Sequence, residues 1–406
     1  MATRFFDASQ LGESARVVGR IRATNVAFFV RRLPLSSALS RLKPRESVAA
    51  NNKGETMKKL RLGVVGAGRL GGFHADKAAA NPEVELIGVA DVSESNRRRV
   101  AEKLNVEGFA SVAELLPKVD AVVVAAPSIL HAEIGREVLN AGKHLLMEKP
   151  ATTSGKSALE LARLAASRNL VFQVGHVEQY NPAWQAAQTF LTDVRAGRES
   201  VFVDATRCSG YTFRSTDVGA VYDLMIHDLE LVLSLIPSPV ERVSAFGYSQ
   251  FGGCEDAAFA TLEFANGSVA RLSASRVEQA PVRKTTLRTA SQTLEIDFAA
   301  RSAKRLTPKK SILSGEYAPN RVTFGEMASR VPTFMSEEYE TEELVRDPFD
   351  ALSLEMQDFV SSILRGTPST VPGERAAQAV AVADAIIRDV AARSATLRPA
   401  AFKIAG

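Results

Sequence analysis

Hydrophobic and polar positions follow two different patterns along the chain, and the change between them comes near residue 175. In residues 57–175, short apolar stretches alternate with segments of about ten residues that have helical spacing. Strands separated by helices in this way predict βαβ units, which build a parallel sheet covered by helices on both faces. We therefore predict an α/β fold with a doubly wound N-terminal domain over residues 57–175.

The strands predicted for this first domain are residues 60–65, 84–90, 120–126, 143–147 and 171–174. The helices predicted between them end near residues 80, 104, 141 and 168. The stretch at 120–126 is almost continuously apolar, which is typical of a central strand buried on both faces.

The second half of the chain has strands in which apolar and polar residues alternate, as in a sheet with one buried face. Asn266-Gly267 separates two of these strands, residues 258–264 and 268–275, and this dipeptide is a strong signal for a β-hairpin. The other predicted strands are residues 201–207, 240–248, 284–289 and 293–298. Residues 176–394 therefore predict an α+β domain with a large, mostly antiparallel open sheet.

The C-terminal part of this second domain has a less regular pattern. Residues 306–340 show no clear period and are expected to form a long loop or arm. Two closing helices are predicted at residues 351–364 and 374–391, and these can pack back on the first domain. Residues 395–406 are expected to form a tail.

Composition and charge exclude several classes of protein. Of the 406 residues, 46% are hydrophobic and 24% are charged, and no apolar run approaches the roughly 20 residues that span a bilayer. The two cysteines, Cys208 and Cys254, are too few for a disulfide scaffold, so we expect a cytoplasmic protein without a membrane partner. Residues 1–56 carry a net charge of +6, which leaves −2 of the total +4 for the remainder. A nearly neutral body argues against nucleic acid as a partner.

Residues 1–56 have no sustained helical or strand period, whereas Met57-Lys58-Lys59 leads directly into an apolar strand. Three interpretations compete: a start site placed too far upstream, a disordered basic tail, or a targeting peptide rich in Arg and Ser. The first two together are favoured, because compositional signals for targeting are weak. We therefore treat this segment as an extension outside the fold.

A glycine-rich turn, Gly66-Ala67-Gly68-Arg69-Leu70-Gly71, follows the first strand and opens a helix. In a Rossmann domain the first glycine permits the tight turn, the second lets the backbone approach a pyrophosphate, and the third lets helix and strand pack closely. Asp91 ends the second strand 20 residues after Gly71, where a carboxylate can accept hydrogen bonds from the ribose hydroxyls. The turn, including Arg69 and Leu70, therefore predicts binding of a nicotinamide dinucleotide.

Asp91 also bears on which dinucleotide is bound. A carboxylate at this position repels the 2′-phosphate of NADP, whereas a nearby arginine among Arg97, Arg98 and Arg99 could hold that phosphate. We predict NAD as the cofactor, with NADP left open as the alternative.

Three further clusters stand at or beside predicted strand ends and helices: Pro127 with His131, Glu148-Lys149-Pro150, and Asp223 with His227 and Asp228. Together with the glycine turn, they resemble the Gfo/Idh/MocA family of oxidoreductases over residues 57 to about 394. The resemblance implies that Pro127, His131, Glu148 and Lys149 help to bind the cofactor. It also implies a cis peptide bond before Pro150.

The chemistry of alcohol oxidation suggests roles for the remaining residues of these clusters. His227 has the pKa range of a general base for the hydroxyl proton, and Asp223, four residues earlier, could orient its imidazole on one helix face. The resemblance implies that Lys149 contacts both the nicotinamide ribose and the substrate hydroxyl. Taken singly, Lys149 could equally be a solvated charge and Asp223 with His227 an ordinary satisfied pair. Beside a dinucleotide fold, catalysis is the favoured interpretation.

The segment Gly175-His176-Val177-Glu178-Gln179-Tyr180-Asn181-Pro182 resembles a family subgroup similar to UDP-N-acetylglucosamine 3-dehydrogenases. This implies a sugar or nucleotide-sugar alcohol as substrate, such as the 3-hydroxyl of UDP-N-acetylglucosamine. The chain departs from the subgroup, because Gln179 replaces an arginine and Tyr180 a phenylalanine. Arg207 or Arg214 could supply the missing cation. The substrate-contacting residues expected on this resemblance are His176, Gln179, Tyr180 and Asp228.

Other functions compatible with these residues stay open. The alternatives are an inositol, aldose or UDP-uronic acid dehydrogenase, and a non-catalytic regulator that senses the dinucleotide. The five histidines lack the spacing of a zinc site, so no metal is predicted. Relatives bury the face of the second sheet against further copies, and a homodimer or homotetramer is expected on that analogy.

Overall fold

The N-terminal part of the chain forms a parallel β-sheet. The computed structural model describes residues 58–213, 217–251, 253–345 and 349–397. The strands of the first sheet are β1 Leu60–Val65, β2 Val84–Ala90, β3 Glu107–Phe109, β4 Ala121–Val124, β5 His144–Glu148 and β6 Phe172–Gly175. They lie in the order β3-β2-β1-β4-β5-β6, and every neighbouring pair is parallel. Strands β2 and β3 are added on one side of β1, and β4 to β6 are added on its other side. Doubly wound sheets bind ligands at this switch point between β1 and β4.

Helices connect these strands and confirm the predicted α/β pattern. They are α1 Arg69–Ala80, α2 Glu94–Leu104, α3 Val112–Leu115, α4 His131–Asn140 and α5 Gly155–Ser167. Helix α2 begins at Glu94 because Ser93 caps it. The Ser93 side chain accepts a hydrogen bond from the Asn96 N–H. The three-residue strand β3 and the four-residue helix α3 were too short for a periodicity signal.

The second sheet has eight strands and is mostly antiparallel, as predicted. Its strands are β7 Phe202–Cys208, β8 Val240–Tyr248, β9 Ala257–Phe264, β10 Val269–Ser275, β11 Val282–Arg288, β12 Thr293–Asp297, β13 Ser302–Pro308 and β14 Tyr339–Leu344. The order is β14-β13-β12-β11-β7-β10-β9-β8, and only the central pair of β7 and β10 is parallel. Asn266-Gly267 joins β9 to β10 as the predicted hairpin, with Gly267 at a φ of +81°.

Helices of the second half of the chain are mostly short. They are α6 Pro182–Ala187, α7 Thr192–Arg195, α8 Ile226–Leu235, α9 Lys310–Leu313, α10 Phe324–Arg330, α11 Phe334–Glu338, α12 Ala351–Arg365 and α13 Gly373–Leu397. A π-helical turn, Val221–Met225, leads directly into α8. Each helix in the described part of the chain is too short or too polar to serve as a membrane span.

The prediction of a long loop or arm over residues 306–340 was wrong at both ends of that segment. Strand β13 extends to Pro308, and β14 begins at Tyr339 and pairs with it in antiparallel register. The β14 sequence is rich in glutamate, which hides the alternation typical of a strand. Opposite charges face each other across the pair, since Lys304 lies opposite Glu343 and Arg305 lies opposite Glu342. Charged side chains of this kind are common on edge strands.

The two closing helices pack against both parts of the molecule. Phe359 and Val360 of α12 are fully buried in a core cluster with Leu62 of β1 and Val123 of β4, so α12 covers one face of the first sheet. Helix α13 lies against α5, where a Cβ added to Gly155 would come within 2.8 Å of the Ala381 backbone. The residues after 397 lie outside the described part of the chain.

This packing predicts that Phe359→Ala destabilises the protein strongly. Removing a fully buried phenylalanine costs about 3–5 kcal/mol in unfolding free energy, because the lost contacts leave a cavity. Leu364→Ala on the same helix is the matched control, since Leu364 is 43% exposed and should change stability by about 0.5 kcal/mol or less. Urea unfolding measures both variants, and an unchanged midpoint for Phe359→Ala would contradict the position of α12.

Candidate active site

The glycine turn lies between the carboxyl end of β1 and the start of α1. Gly66 has a φ of +89°, and a Cβ there would come within 2.6 Å of the Ala125 carbonyl oxygen. A Cβ at Gly71 would lie 1.6 Å from the Gly66 carbonyl oxygen, so helix and turn can approach only because Gly71 has no side chain. At Gly68 a Cβ would meet nothing within 4 Å, which leaves the backbone open to a phosphate.

A cleft of about 790 Å³ opens above this turn at the junction of β1 and β4. Gly66, Gly68, Arg69, Leu70, Asp91 and Pro127 are among the residues that line it. The volume is in the range of small-molecule and cofactor sites. Six of the predicted cofactor residues therefore border one cavity, and the residues present fit a dinucleotide. Phe73 and Asn96 also line the cleft and carry no sequence signal of their own.

Asp91 lines this cleft directly after the end of β2. Its carboxylate accepts hydrogen bonds from the Ala67 N–H at 2.6 Å and the Ser93 N–H at 2.8 Å, which hold it in place. Arg97 donates to the Asp91 carbonyl and Arg99 to the Ala67 carbonyl, at 2.7 and 2.8 Å. Arg99 thus supports the backbone of the glycine turn, and Arg97 supports the backbone at Asp91. This arrangement fits NAD better than NADP, because the arginines are already engaged and the carboxylate repels a phosphate.

Two predicted cofactor residues lie behind the cleft instead of in its wall. His131 is buried, and its two ring nitrogens contact the carbonyl oxygens of Pro150 at 2.8 Å and Ala126 at 2.9 Å. Glu148 is buried as well, with one oxygen 2.6 Å from His74 Nε2 and the other accepting the Lys149 N–H at 3.1 Å. Their polar atoms are used within the protein. Both side chains support the strand ends beside the cleft, and their part in binding the cofactor stays a prediction.

Lys149 reaches from the end of β5 to the π-helical turn before α8. Its ammonium donates to the Asp223 carbonyl at 2.6 Å and to the Asp223 carboxylate at 3.2 Å. The two side chains are 18% and 20% exposed. The peptide bond between Lys149 and Pro150 is cis, as the resemblance implied. Asp223 therefore contacts Lys149, and the expectation that it orients the His227 imidazole is corrected.

His227 and His176 lie edge to face, with ring centroids 6.2 Å apart. Nδ1 of His227 and both ring nitrogens of His176 are buried without a hydrogen-bond partner among the described residues. Burial, with the nearby charge of Lys149, lowers the pKa of His176 to about 3 and that of His227 well below its usual value. Both imidazoles are consequently neutral at neutral pH, so His227 is able to accept a proton.

A buried ion-pair cluster lies next to these histidines. Arg207 of β7 donates two hydrogen bonds to Asp228, at 2.8 and 3.0 Å, and one to Glu178 at 2.8 Å. The guanidinium is nearly fully enclosed, and the pairing with the two carboxylates raises its pKa although burial alone would lower it. Arg207 and Asp228 are thus committed to each other. Their roles in binding substrate stay predictions, and Arg214 lies outside the described residues.

Gln179 and Tyr180 are also buried within the protein. The Gln179 amide donates to Glu230 at 2.7 Å and accepts from the Trp184 indole N–H at 3.0 Å. The Tyr180 hydroxyl donates to Asp358 at 2.7 Å. Both side chains therefore have partners within the protein, and their contact with substrate stays a prediction. Of the four residues expected at the substrate, His176 alone has unpartnered polar atoms in the described structure.

Glu355 of α12 is a site residue that sequence reasoning missed. It is fully buried, and it lies with His74 and Glu148 in a group whose ligand-type atoms are all within 4.8 Å of one another. Histidine spacing could not detect this group, because its members come from α1, the end of β5 and the distant helix α12.

Comparisons with known proteins agree with this geometry. Residues 60–176 match the model of the oxidoreductase family with an NAD-binding Rossmann fold, and residues 192–297 match the GFO/IDH/MocA C-terminal domain. The chain is 32% identical over 324 residues to UDP-N-acetylglucosamine 3-dehydrogenase of Acidithiobacillus ferrooxidans, covering 80% of this chain and 95% of that protein. It is 26% identical to scyllo-inositol 2-dehydrogenase (NAD(+)) of Bacillus subtilis, over 53% of this chain and 67% of that protein.

Solved structures give the same result. A structure of the Acidithiobacillus ferrooxidans enzyme has a TM-score of 0.71 and 30% identity, covering 83% of this chain and 99% of that one. Levoglucosan dehydrogenase in complex with NADH and levoglucosan shares the fold, with a TM-score of 0.69 and 18% identity over 82% and 98% of the two chains. The chain therefore belongs to the GFO/IDH/MocA family of oxidoreductases, whose N-terminal domain is an NAD-binding Rossmann fold.

Proposed function

We propose that this oxidoreductase is a dehydrogenase of a nucleotide sugar, with the 3-hydroxyl of UDP-N-acetylglucosamine as the group oxidised. The observation that carries the proposal is the arrangement of Lys149, held by Asp223, with the buried His227, whose Nδ1 has no partner among the described residues and whose ring lies against His176. The relative that acts on this nucleotide sugar supports the choice of substrate, since the chain covers 95% of its length. Inositol is the second candidate, because several shorter matches are inositol dehydrogenases.

The residues of the candidate active site divide the chemistry between them. Bound NAD supplies the hydride acceptor. The glycine turn and Asp91 would hold this cofactor. His227 takes the proton of the substrate hydroxyl, and Lys149 stabilises the negative charge that develops on the same oxygen. Asp223 keeps the Lys149 ammonium in place and is a positioning residue.

His176 is the proposed hydrogen-bonding partner of the sugar. Both its ring nitrogens are buried and unpartnered among the described residues. Leaving buried polar atoms unpaired costs about 1–3 kcal/mol each, and a polar ligand would remove that cost. Its neutral imidazole can both donate and accept, which suits a hydroxyl group.

The phosphates of a nucleotide sugar need a cation that is not buried. Arg283 of β11 is exposed and lies opposite Arg207 on the neighbouring strand. Its charge also contributes to lowering the pKa of His227, which puts it within electrostatic reach of the imidazole. We propose Arg283 as the phosphate contact in place of the arginine that Gln179 replaces.

Assembly and location complete the proposal. Phe246 and Phe259 face each other across β8 and β9, and each is about half exposed, so a second copy could cover this face. We propose a homodimer or homotetramer, which a measurement of the mass in solution tests.

The free thiols of Cys208 and Cys254 support a reducing compartment, and we propose that the enzyme is cytoplasmic. Localising the tagged chain in cells tests this.

Lys149→Ala and His227→Ala are each expected to reduce turnover of UDP-N-acetylglucosamine with NAD by at least about a hundredfold, the scale of a general base. NADH binding should stay within a few fold, because neither side chain lines the main cleft. Turnover is measured from the absorbance of NADH, and inositol, glucose and UDP-uronic acids are tested as alternative substrates. NADH binding is measured by fluorescence titration. Lys156→Ala, an exposed lysine on α5, is the control. Near-normal turnover in either site variant would refute the assignment of catalytic residues.

The pH dependence of kcat/KM should reflect the lowered pKa of His227. Because the base is already unprotonated at neutral pH, the rate should stay level as pH falls from 8 through the ordinary histidine pKa of about 6.5. A decline is expected only at lower pH, where the imidazole becomes protonated. Initial rates across this range test the point, and an acid limb centred at or above about 6.5 would contradict it.

Arg283→Ala is expected to raise KM for UDP-N-acetylglucosamine at least about tenfold, because a charge-assisted hydrogen bond is worth about 1.5–3 kcal/mol. The effect on kcat and on KM for NAD should be small. Arg288→Ala is the matched control, since Arg288 is exposed at the other end of the same strand. Equal KM values for the two variants would remove Arg283 from the substrate site.

A further inference from the structure

The group formed by His74, Glu148 and Glu355 lies in the interior of the protein, next to the backbone of Lys149. Each of the three residues comes from a different element, and each is buried. Glu148 links the group to the active site, since one of its oxygens accepts the Lys149 N–H at 3.1 Å. The other oxygen is 2.6 Å from His74 Nε2. A group that holds the Glu148 carboxylate in place therefore also holds the backbone of Lys149 in place.

Glu355 is the unusual member of the group. It is 0% exposed, and neither of its carboxylate oxygens has a hydrogen-bond partner in the described part of the chain. An ionised carboxylate without a donor is very costly to bury. The acidic groups around it add to the cost, because Glu148 lies within 4.8 Å and Asp358 is one turn along α12.

A proton on Glu355 resolves this conflict. Two carboxylates side by side are both acceptors when ionised, whereas a protonated carboxyl group becomes a donor. Burial and the charges of Glu148 and Asp358 raise the pKa of Glu355 well above its usual value. Cationic groups do not offset them, since the Lys77 ammonium on the facing helix α1 is paired with Asp350.

We propose that Glu355 is a neutral carboxylic acid at neutral pH that donates a hydrogen bond to Glu148, and that it thereby positions Lys149. Glu355 is a positioning residue that touches neither substrate nor cofactor. The effect on turnover rests on the proposed role of Lys149, whereas the protonation state does not depend on it.

The dependence of folding stability on pH tests whether Glu355 is protonated, without any assay of turnover. The unfolded chain releases the Glu355 proton above about pH 4.3, while the folded chain keeps it, so the wild type loses stability as pH rises. Glu355→Gln cannot ionise. Its folding equilibrium constant relative to the wild type should therefore grow about tenfold per pH unit from about pH 5 upwards, until the folded protein also releases the proton.

Asp256→Asn is the matched control for this experiment. Asp256 is buried, and although burial alone would raise its pKa, hydrogen bonds from the Phe251 N–H and Arg276 lower it. Its contribution to stability is present above the unfolded aspartate pKa of about 3.9 and is lost as pH falls. The difference in unfolding free energy between Asp256→Asn and the wild type should therefore be independent of pH above about pH 5. If the difference between Glu355→Gln and the wild type were also independent of pH in this range, the proposal would be overturned.

Glu355→Met separates the charge from the hydrogen bond. It should show the same dependence on pH as Glu355→Gln but lower stability throughout, because Glu148 loses its donor. Its kcat should fall several-fold with KM values for both substrates nearly unchanged, whereas Glu355→Gln should keep kcat close to the wild type. Equal kcat values for the two variants would overturn the positioning role.

A bound cation is the competing account of the same group, because a histidine and two carboxylates are common metal ligands. Elemental analysis of the purified full-length chain distinguishes the two accounts. We expect no stoichiometric metal, and no change in thermal midpoint after dialysis against a chelator. One metal ion per chain, lost in Glu355→Gln, would overturn the assignment of the proton.

Discussion

The contact between Lys149 and Asp223 is the constraint on which the arrangement of the active site depends. An ammonium group that is four-fifths buried needs a negative partner, or it loses its proton. Asp223 supplies both a carboxylate and a carbonyl oxygen, from a turn that belongs to the second domain. The same positive charge helps to keep His176 and His227 neutral. Burial and the charge held by this one interaction thus act together to lower the pKa of both histidines.

The surroundings of this contact are built from committed side chains. Arg207 is paired with Glu178 and Asp228, and Gln179 is hydrogen-bonded to Glu230 and Trp184. Such hydrogen-bonded buried groups give the adjacent histidines rigid positions. The residues that retain free polar atoms are therefore the informative ones. This is why His176 carries the substrate proposal, while its neighbours in the same sequence segment do not.

Much of the fold could be predicted from the sequence, because hydrophobic periodicity and the glycine turn report local structure. The parallel sheet, the Asn266-Gly267 hairpin and the closing helices followed from these signals. Strand β14 could not be predicted, since its glutamates are stabilised by Lys304 and Arg305 on a strand far from it in sequence. For the candidate site, the sequence indicated several of the residues that line the cleft. Which buried side chains have partners within the protein depended on long-range contacts such as those of Asp228 and Glu230, which local patterns do not reveal.

A crystal structure with NADH and UDP-N-acetylglucosamine would test the account most directly. We predict that one sugar hydroxyl oxygen lies about 2.6–3.2 Å from both the Lys149 ammonium nitrogen and a ring nitrogen of His227, the distance required for proton transfer. His176 should contact the same sugar ring. A complex in which the reacting hydroxyl contacts neither Lys149 nor His227 would contradict the account.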